Sequence, residues 1–518
     1  MDRRLLLVTT FVGGMTTLGI ELAASRLLGN VFGTSNLVWA NIIGLILVYL
    51  TAGYFLGGRW ADRSPHGRTF YRLVVWAAFA AGMVPVIAQP VLRWAAGAVE
   101  QLNAAIMAGS FLAILVLFSI PVTLLGCISP FVIRLAITDP LRAGRVSGQV
   151  YAISTLGSIL GTFLPALWLI PEIGTARTFL VLSYALMLVG WIGLLTVDRR
   201  QALLYLWMPV LLALLSAWAL QGPIKASVGQ LYEGESAYNY IQVREVNGVR
   251  YLMLNEGQAV HSVYDPSGQA TYGTWDYFLA APYFNAAPFA PERVERLGIV
   301  GLAAGTIAKQ YTSVYGPIPI DGWDIDPQVM EVGRQYFEMT EPNLRAMAQD
   351  GRWGLEHSQQ RYTVIGVDAY RPPYIPWQLT TRQFFEIVRD HLTPDGALAI
   401  NVGRTPDDRR LIDALAGTIG AVFPSVHVVD VPGTFNTMVY ATVLPTEVEN
   451  LERNLAALQA AGAAPLLVDV VQRAVANRVP TPASQLVFTD DRAPVETLIN
   501  SILVRFVLGG QLETLSVE

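Results

Sequence analysis

The N-terminal part of this chain is a series of apolar runs near twenty residues long, the length that crosses a bilayer core of roughly 30 Å. Seven runs are found, at residues 5–25, 36–57, 70–93, 104–133, 147–171, 178–196 and 203–220. In lipid each run can satisfy its own backbone polar groups only as a helix. We therefore predict a multi-pass membrane domain over residues 1–221, a cell-membrane location and a lipid bilayer as partner.

Arginines cluster in alternate loops between these runs, and such loops share the cytoplasmic face by the positive-inside rule. They are Arg3 and Arg4, then Arg59, Arg63 and Arg68, then Arg134, Arg142 and Arg145, then Arg199 and Arg200. An odd number of spans would place the residues after 221 on the outer face, where an intracellular nucleotide is absent. A miscounted span or an external site would resolve the conflict, and the sequence leaves both open.

One acid lies within the apolar half. Glu21 is near the end of the first run, and Arg26 follows about one helical turn later. An acid at membrane depth is costly and marks a polar pathway or site. The alternative is a Glu21–Arg26 pair that fixes packing.

After Gln221 the composition becomes that of an ordinary globular domain. The net charge of −5 gives no reason to expect a nucleic-acid partner. The single cysteine, Cys127, lies in an apolar run, which excludes an intramolecular disulfide and a cysteine metal site. Residues 222–265 alternate as strands do, and Asn247-Gly248 is a hairpin turn signal. We predict a small β-hairpin subdomain at 222–265, followed by a Rossmann-like domain over 266–518.

The stretch LGIVGLAAGTIAKQYTSVYGPIPIDGWDID at residues 297–326 reads as strand, turn, helix and second strand. Gly301 and Gly305 let the turn approach a ligand closely, and an acid at the tip of the second strand can accept both hydrogen bonds of a ribose diol. Alanine at the middle glycine position departs from the G-x-G-x-x-G pattern. An ordinary packing turn is the alternative.

Carboxylates end three successive predicted strands, namely Asp324, Asp350 and Asp368. Ligands of open α/β sheets bind beyond the carboxyl ends of the strands, so these acids should share one edge. The alternative is that each aspartate caps the helix that follows it. Asp276 lies in an aromatic-rich helix predicted over 271–286, and an acid beside aromatic rings suits an organic cation.

A series of short motifs occurs between about Glu235 and Glu496, namely ESAYNYIQV, LNEGQAV, GLAAGT, WDID, QDGR, VDAY, QLTTRQFF, LTPDGALAINV and TDDRAPVE. Their order and spacing resemble those of the spermidine synthase family of polyamine aminopropyltransferases, whose core is a sheet of the S-adenosylmethionine methyltransferase type. The layout of the whole chain is similar to the bacterial membrane-bound form, in which such a domain follows a multi-span region.

The resemblance implies transfer of an aminopropyl group from decarboxylated S-adenosylmethionine, a nucleoside sulfonium co-substrate, to an amine, with release of 5'-methylthioadenosine. It implies no permanently bound cofactor and no metal, and association of two copies through the hairpin subdomain. By motif match the residues are Asp368 as the base, Asn239, Gly301, Gly305, Asp324, Asp350 and Gly351 at the donor, and Asp276 and Tyr370 at the acceptor.

One departure from the family bears on the acceptor. Soluble spermidine synthases carry a second acid three residues after the aspartate that corresponds to Asp368. Here that position is Arg371, which should weaken binding of a dicationic diamine and makes putrescine a doubtful acceptor. Two other functions remain open: a methyltransferase that uses S-adenosylmethionine, and a polyamine transporter or sensor whose soluble domain only binds ligand. The loop GGRWADR at 57–63, similar to a loop of major-facilitator transporters, favours the last.

Overall fold

The computed structural model describes residues 2–32, 36–102, 106–221, 227–255, 260–266, 268, 270–370 and 375–508. Contacts divide the chain into two units. The first unit comprises Met1–Ser227 and Glu233–Tyr240, and the second comprises Val228–Tyr232 and Ile241–Glu518. The predicted domain boundaries at 221 and 265 stay predictions.

The first unit is helical. Its helices are α1 (Arg3–Phe32), α2 (Asn36–Arg63), α3 (Gly67–Leu102), α4 (Ile106–Gly126), α5 (Ile128–Ala136), α6 (Ala143–Leu164), α7 (Ile170–Ile173), α8 (Thr175–Val197), α9 (Arg199–Leu204) and α10 (Trp207–Ala219). Seven stretches of the described residues are helical, long and apolar enough to cross a membrane: Arg3–Gly29, Val38–Arg63, Gly67–Ala88, Gly109–Ala136, Pro140–Ile173, Thr175–Val197 and Arg199–Ala219. They correspond one for one to the predicted runs.

Glycines bring pairs of these helices into backbone contact. A Cβ atom added at Gly157 or Gly161 of α6 would lie 1.9 Å and 2.1 Å from the carbonyl oxygens of Phe11 and Met15 in α1. At Gly53 of α2 it would lie 2.3 Å from the carbonyl oxygen of Thr123 in α4. Larger residues there would force the helices apart, so these glycines determine the packing.

The residues Glu233–Tyr240 belong to the first unit although they follow the apolar half in sequence. The guanidinium of Arg26, at the end of α1, donates to the carbonyl oxygens of Ser236 at 3.0 Å, of Tyr238 at 3.2 Å and of Ala237. Arg26 thus contacts the segment that follows the apolar half, and the alternative Glu21–Arg26 pair stays a prediction.

A four-stranded sheet follows, with β1 (Gln230–Glu235), β2 (Tyr240–Val246), β3 (Val249–Leu254) and β4 (Val260–Tyr264) in sequential order. Val246 pairs with Val249 across the two-residue turn Asn247-Gly248, where both residues have positive φ, 53° and 83°. This is the predicted hairpin turn, because that geometry matches the twist of the flanking strands.

The main sheet of the second unit has eight strands. They are β5 (Leu297–Val300), β6 (Ile320–Asp324), β7 (Leu344–Ala348), β8 (Tyr362–Val367), β9 (Leu392–Gly403), β10 (Ser425–Asp430), β11 (Asn436–Thr442) and β12 (Arg478–Val479), in the order β12-β10-β11-β9-β8-β5-β6-β7. Strands β5 to β9 are mutually parallel, and β11 is antiparallel to β9 and β10. The predicted Rossmann-like fold of the S-adenosylmethionine methyltransferase type is confirmed.

The helices of this unit are α11 (Thr274–Tyr277), α12 (Thr306–Tyr315), α13 (Pro327–Tyr336), α14 (Gly351–Glu356), α15 (Arg382–His391), α16 (Arg410–Gly420), α17 (Asn450–Ala460), α18 (Pro465–Ala476) and α19 (Val495–Leu508). Both faces of the sheet are covered: along β8, Val364 packs in one buried cluster with Phe278, whereas Ile365 packs in another with Phe385. Side chains alternate between faces along a strand, so two clusters are expected.

The helix predicted over 271–286 is wrong in extent. Only Thr274–Tyr277 is α-helical, and Phe278–Phe284 is a 3-10 helix that contains Pro282. Proline lacks the N–H that an α-helix needs, which explains the change. The aromatic side chains of the 3-10 helix are fully buried, as expected for core residues.

Candidate active site

The carboxyl ends of the parallel strands bring the predicted residues into one row. In spatial order the row runs from Asp350 after β7 to Asp324 at the end of β6, Gly301 after β5 and Asp368 after β8. Adjacent strands are about 4.8 Å apart, so the strands that carry Asp324 and Asp368 lie about 10 Å apart with the glycine turn between them. An elongated ligand along this edge would meet all of these groups.

The glycine turn after β5 is tightly folded. Gly301 has a φ of 92° and Gly305 a φ of 85°, and a Cβ atom at Gly301 would lie 2.6 Å from the carbonyl oxygen of Asp368. Ala303 occupies the position where the common motif has glycine, and its φ is 47°. Ala303 therefore keeps the left-handed conformation of the motif, which costs a non-glycine residue roughly 1–2 kcal/mol.

Asp324 accepts two backbone hydrogen bonds. The N–H of Ala303 donates to its Oδ2 at 2.9 Å, and the N–H of Asp326 donates to its Oδ1 at 2.9 Å. Burial nevertheless raises its pKa to about 6, because loss of hydration outweighs the two N–H donors that favour the charged form. Asp324 does not cap α13; Asp326 does, by accepting from the N–H of Gln328.

Asp368 lies directly after β8, where its N–H donates to the carbonyl oxygen of Val300 at 2.9 Å. The side-chain amide of Asn401, near the end of β9, donates to its Oδ1 at 2.9 Å. Burial raises the pKa of Asp368 to about 6, and the Asn401 amide opposes the rise. A carboxylate with this pKa is charged at neutral pH and still basic enough to accept a proton.

Asp350 and Gly351 begin α14. The Oδ1 of Asp350 accepts from the N–H of Trp353 at 2.9 Å, so this aspartate caps the helix after it. Of the three strand-end aspartates, Asp350 is the one that matches the capping alternative. Its role toward a ligand stays a prediction.

Asp276 is fully buried in a network of donors. Its carboxylate accepts from the N–H groups of Thr271 and Tyr272 at 2.9 and 3.0 Å, from Oγ1 of Thr271 at 2.6 Å and from Nε2 of Gln310 at 2.6 Å. It also forms an ion pair with Arg473 of α18 at 2.8 Å. The network ties α11, α12 and α18 together, and the predicted role of Asp276 in acceptor binding stays a prediction.

The remaining predicted residues have separate positions. The hydroxyl of Tyr370 donates to the backbone oxygen of Asn401 at 3.0 Å, which fixes the ring close to Asp368 in sequence and structure. Asn239 belongs to the first unit, where its carbonyl oxygen accepts from the N–H of Ser236 at 2.8 Å. Arg371 lies outside the described residues.

Asn401 is the residue that sequence reasoning missed. It lies near the end of β9, within the motif LTPDGALAINV, and only the strand order places β9 beside β8. A polar residue at the tip of an otherwise apolar strand was the available signal. Among the described residues, no group of three or more His, Cys, Asp or Glu side chains could hold a metal ion.

The fold and this edge define a Rossmann-like domain of the methyltransferase type. Residues 310–453 match the sequence profile of the spermine/spermidine synthase domain. The C-terminal part of the chain therefore contains a spermine/spermidine synthase domain, and the apolar N-terminal helices are compatible with a membrane region fused to it.

Two relatives and one solved structure describe the similarity. The chain is 32% identical over 283 residues to a probable polyamine aminopropyl transferase of Bifidobacterium longum. That alignment covers 52% of this chain and 61% of the relative. It is 28% identical over 230 residues to the polyamine aminopropyltransferase of Vibrio vulnificus, with 42% of this chain and 74% of that one covered. The chain thus spans about three fifths of the first relative's length.

The crystal structure of a probable spermidine synthase from Corynebacterium glutamicum aligns with a TM-score of 0.39 and 19% identity, over 50% of this chain and 99% of that one.

Proposed function

We propose that this protein is a membrane-anchored aminopropyltransferase that transfers the aminopropyl group of decarboxylated S-adenosylmethionine to an amine and releases 5'-methylthioadenosine. The observation that carries the proposal is the position of Asp368, a partly buried carboxylate at the end of β8 with one oxygen held by Asn401. The matched synthase domain and the names of the relatives support the same reaction class.

The chemistry needs one base. The lone pair of the acceptor nitrogen attacks the propyl carbon bonded to the sulfonium, a C–N bond forms and the C–S bond breaks. The electron pair of that bond neutralises the sulfur. An amine is an ammonium in water, so Asp368 would take the proton and hold the nitrogen in line with carbon and sulfur.

Donor binding would use the other end of the sheet edge. Asp324 would accept the hydrogen bonds of the ribose diol, Asp350 would face the adenine amino group, and Gly301 and Gly305 would shape the turn beside the nucleoside. Asp324 lies on the far side of that turn from Asp368, about 10 Å away by strand spacing, which suits a nucleoside with a propyl sulfonium arm. Gly351 completes the proposed donor site, and the donor role of Asn239 stays a prediction from the resemblance.

The acceptor would bind near Asp368 and Tyr370. Asp276, whose carboxylate accepts from Thr271, Tyr272 and Gln310 and pairs with Arg473, would act on the acceptor through its charge. A panel of amines in the turnover assay would identify the acceptor.

Membrane anchoring is supported by the first unit. Large apolar side chains are exposed on its helices, among them Phe55 at 68%, Leu167 at 74% and Trp218 at 76%. Exposure of so many large apolar side chains in one unit indicates a lipid environment. Association of two copies through the hairpin strands remains a prediction from the resemblance.

A turnover assay by mass spectrometry tests the proposal. Detergent-purified protein is given decarboxylated or intact S-adenosylmethionine, each with a panel of mono-, di- and triamines. Methylthioadenosine should form only with the decarboxylated donor, and Asp368→Asn should lower kcat by about 10²–10⁴-fold.

Asp390→Asn, an aspartate exposed at the end of α15, is the matched control and should keep full turnover. Methyl transfer from intact S-adenosylmethionine would replace the proposal with a methyltransferase. Donor binding without turnover of either donor would replace it with a sensor or transporter.

A further inference from the structure

The two carboxylate oxygens of Asp368 have different surroundings. Oδ1 accepts the amide N–H of Asn401 at 2.9 Å. Among the described residues no donor contacts Oδ2. Within the described part of the chain, therefore, Oδ1 has a protein donor and Oδ2 has none.

Asn401 is itself held in place. Its residue is 6% exposed, and its backbone oxygen accepts from the hydroxyl of Tyr370 at 3.0 Å. Val367 pairs with Ile400 in the parallel ladder, so the residues that follow each of them, Asp368 and Asn401, lie side by side at the carboxyl edge of the sheet. The contact is thus built into the strand register.

The amide of Asn401 has a defined orientation. Its Oδ1 is buried and has no hydrogen-bond partner among the described residues. Turning the amide over would bring that oxygen against the charged Asp368 and repel it. An unpartnered buried carbonyl is costly, and a residue kept at such a cost is expected to have a functional reason.

We infer that Asn401 is a positioning residue: its amide holds Oδ1 of Asp368, so that Oδ2 is the oxygen that receives the proton of the attacking amine. The inference rests on the proposed role of Asp368. A carboxylate held at one oxygen keeps a fixed plane, which aligns the bound nitrogen with the donor carbon. The amide also stabilises the charged, proton-accepting form of the base.

Three variants test this inference. Asn401→Leu removes the donor at similar volume, and Asn401→Asp places a second acid against Oδ1. Asn285→Leu is the matched control, because Asn285 is also a buried amide with an unpartnered Oδ1, but its Nδ2 donates to the carbonyl oxygens of Pro282 and Asp395. Each variant is assayed for kcat/KM from pH 5 to 9 and for donor affinity.

The acidic limb of the pH profile should move upward by about one pH unit in Asn401→Leu and further in Asn401→Asp, with kcat/KM at pH 7 reduced about 10-fold or more. Donor affinity should stay within about two-fold, since the donor residues lie on the other strands. Asn285→Leu should keep the wild-type limb. An Asn401 variant that binds donor normally and keeps that limb would overturn the inference.

Infrared difference titration provides a readout that does not depend on turnover. The carboxyl band of Asp368, identified as the band lost in Asp368→Asn, should titrate at higher pH in the Asn401 variants. If the wild type transfers no aminopropyl group but this band still shifts, the contact is real and the proposed function fails. If the wild type is active and the band does not move, Asn401 does not position the base.

Discussion

At the residue scale, the site depends on two carboxylates whose pKa values burial raises to about 6, Asp324 and Asp368. Hydrogen-bond donors oppose this rise in pKa at both residues: two backbone N–H groups at Asp324 and one side-chain amide at Asp368. A raised folded-state pKa means that the folded protein prefers the protonated acid. The stability this contributes is complete below the unfolded pKa, near 3.8, and is lost as the pH rises through about 6.

Replacing Asp368 should therefore lower activity and raise the free energy of unfolding. A rise in pKa from 3.8 to about 6 corresponds to about 3 kcal/mol of folding free energy lost at pH 8. Asp368→Asn removes the charge, so its free energy of unfolding at pH 8 should exceed that of the wild type by up to this amount. The gain should shrink through pH 6 and vanish below pH 4, as measured by tryptophan-monitored unfolding.

Asp324→Asn is the informative contrast. Each oxygen of Asp324 accepts a backbone N–H, so the NH₂ of an asparagine would face one of these donors. The lost hydrogen bond would offset the stability gained by removing the buried charge. Equal stabilisation by both substitutions would contradict the assignment of these hydrogen bonds.

At the element scale, the turn between β5 and α12 lies between the proposed donor and acceptor ends of the edge. Its backbone is held by the carbonyl oxygen of Trp323, which accepts from the N–H groups of Gly301 and Leu302 at 2.9 and 3.0 Å. Gly301 also packs directly against the backbone of Asp368. A change in this turn is therefore transmitted to the proposed base.

Gly301→Ala should impair catalysis more than stability. The added Cβ would lie 2.6 Å from the carbonyl oxygen of Asp368 and would sit at a φ of 92°, a strain of about 1–3 kcal/mol. We expect kcat/KM to fall at least 10-fold in the turnover assay. Gly420→Ala is the control, because its Cβ would meet only Val426 at 3.9 Å. Wild-type kinetics in Gly301→Ala would show that the turn tolerates a side chain.

At the scale of the whole molecule, the segment Glu233–Tyr240 follows the apolar half in sequence but belongs to the first, helical unit. Glu235 accepts from the N–H of Thr175 at 2.7 Å and from its Oγ1 at 3.0 Å, at the start of α8. Arg26 binds three consecutive carbonyl oxygens of the same segment. The apolar half thus orders the turn that carries Asn239.

Arg26→Ala should loosen this turn specifically. Hydrogen bonds from a charged group contribute about 1.5–3 kcal/mol, so their loss should speed amide hydrogen exchange at residues 236–239 by roughly 10-fold or more. Arg3→Ala, in the same helix but bonded only to the side chain of Gln149 in the described residues, should leave that exchange unchanged. Unaltered protection in Arg26→Ala would mean that other contacts order the turn.

Much of the architecture could be predicted from local patterns. The apolar spans, the Asn247-Gly248 hairpin and the strand-end aspartates all occur where the sequence predicts them. Each depends on periodicity or on the conformational preference of one or two residues. The helix over 271–286 was wrong because Pro282 and the Asp276 network override its aromatic periodicity.

The groups at the ends of the strands follow from local sequence, because a strand's polarity and length are local properties. The surroundings of these groups depend on the tertiary fold. Asn401 meets Asp368 across 33 residues, Arg473 meets Asp276 across 197, and Arg26 reaches Ser236 across 210. Strand order and helix packing create these contacts, and they arise from burial of the whole chain, which no local pattern of residues encodes.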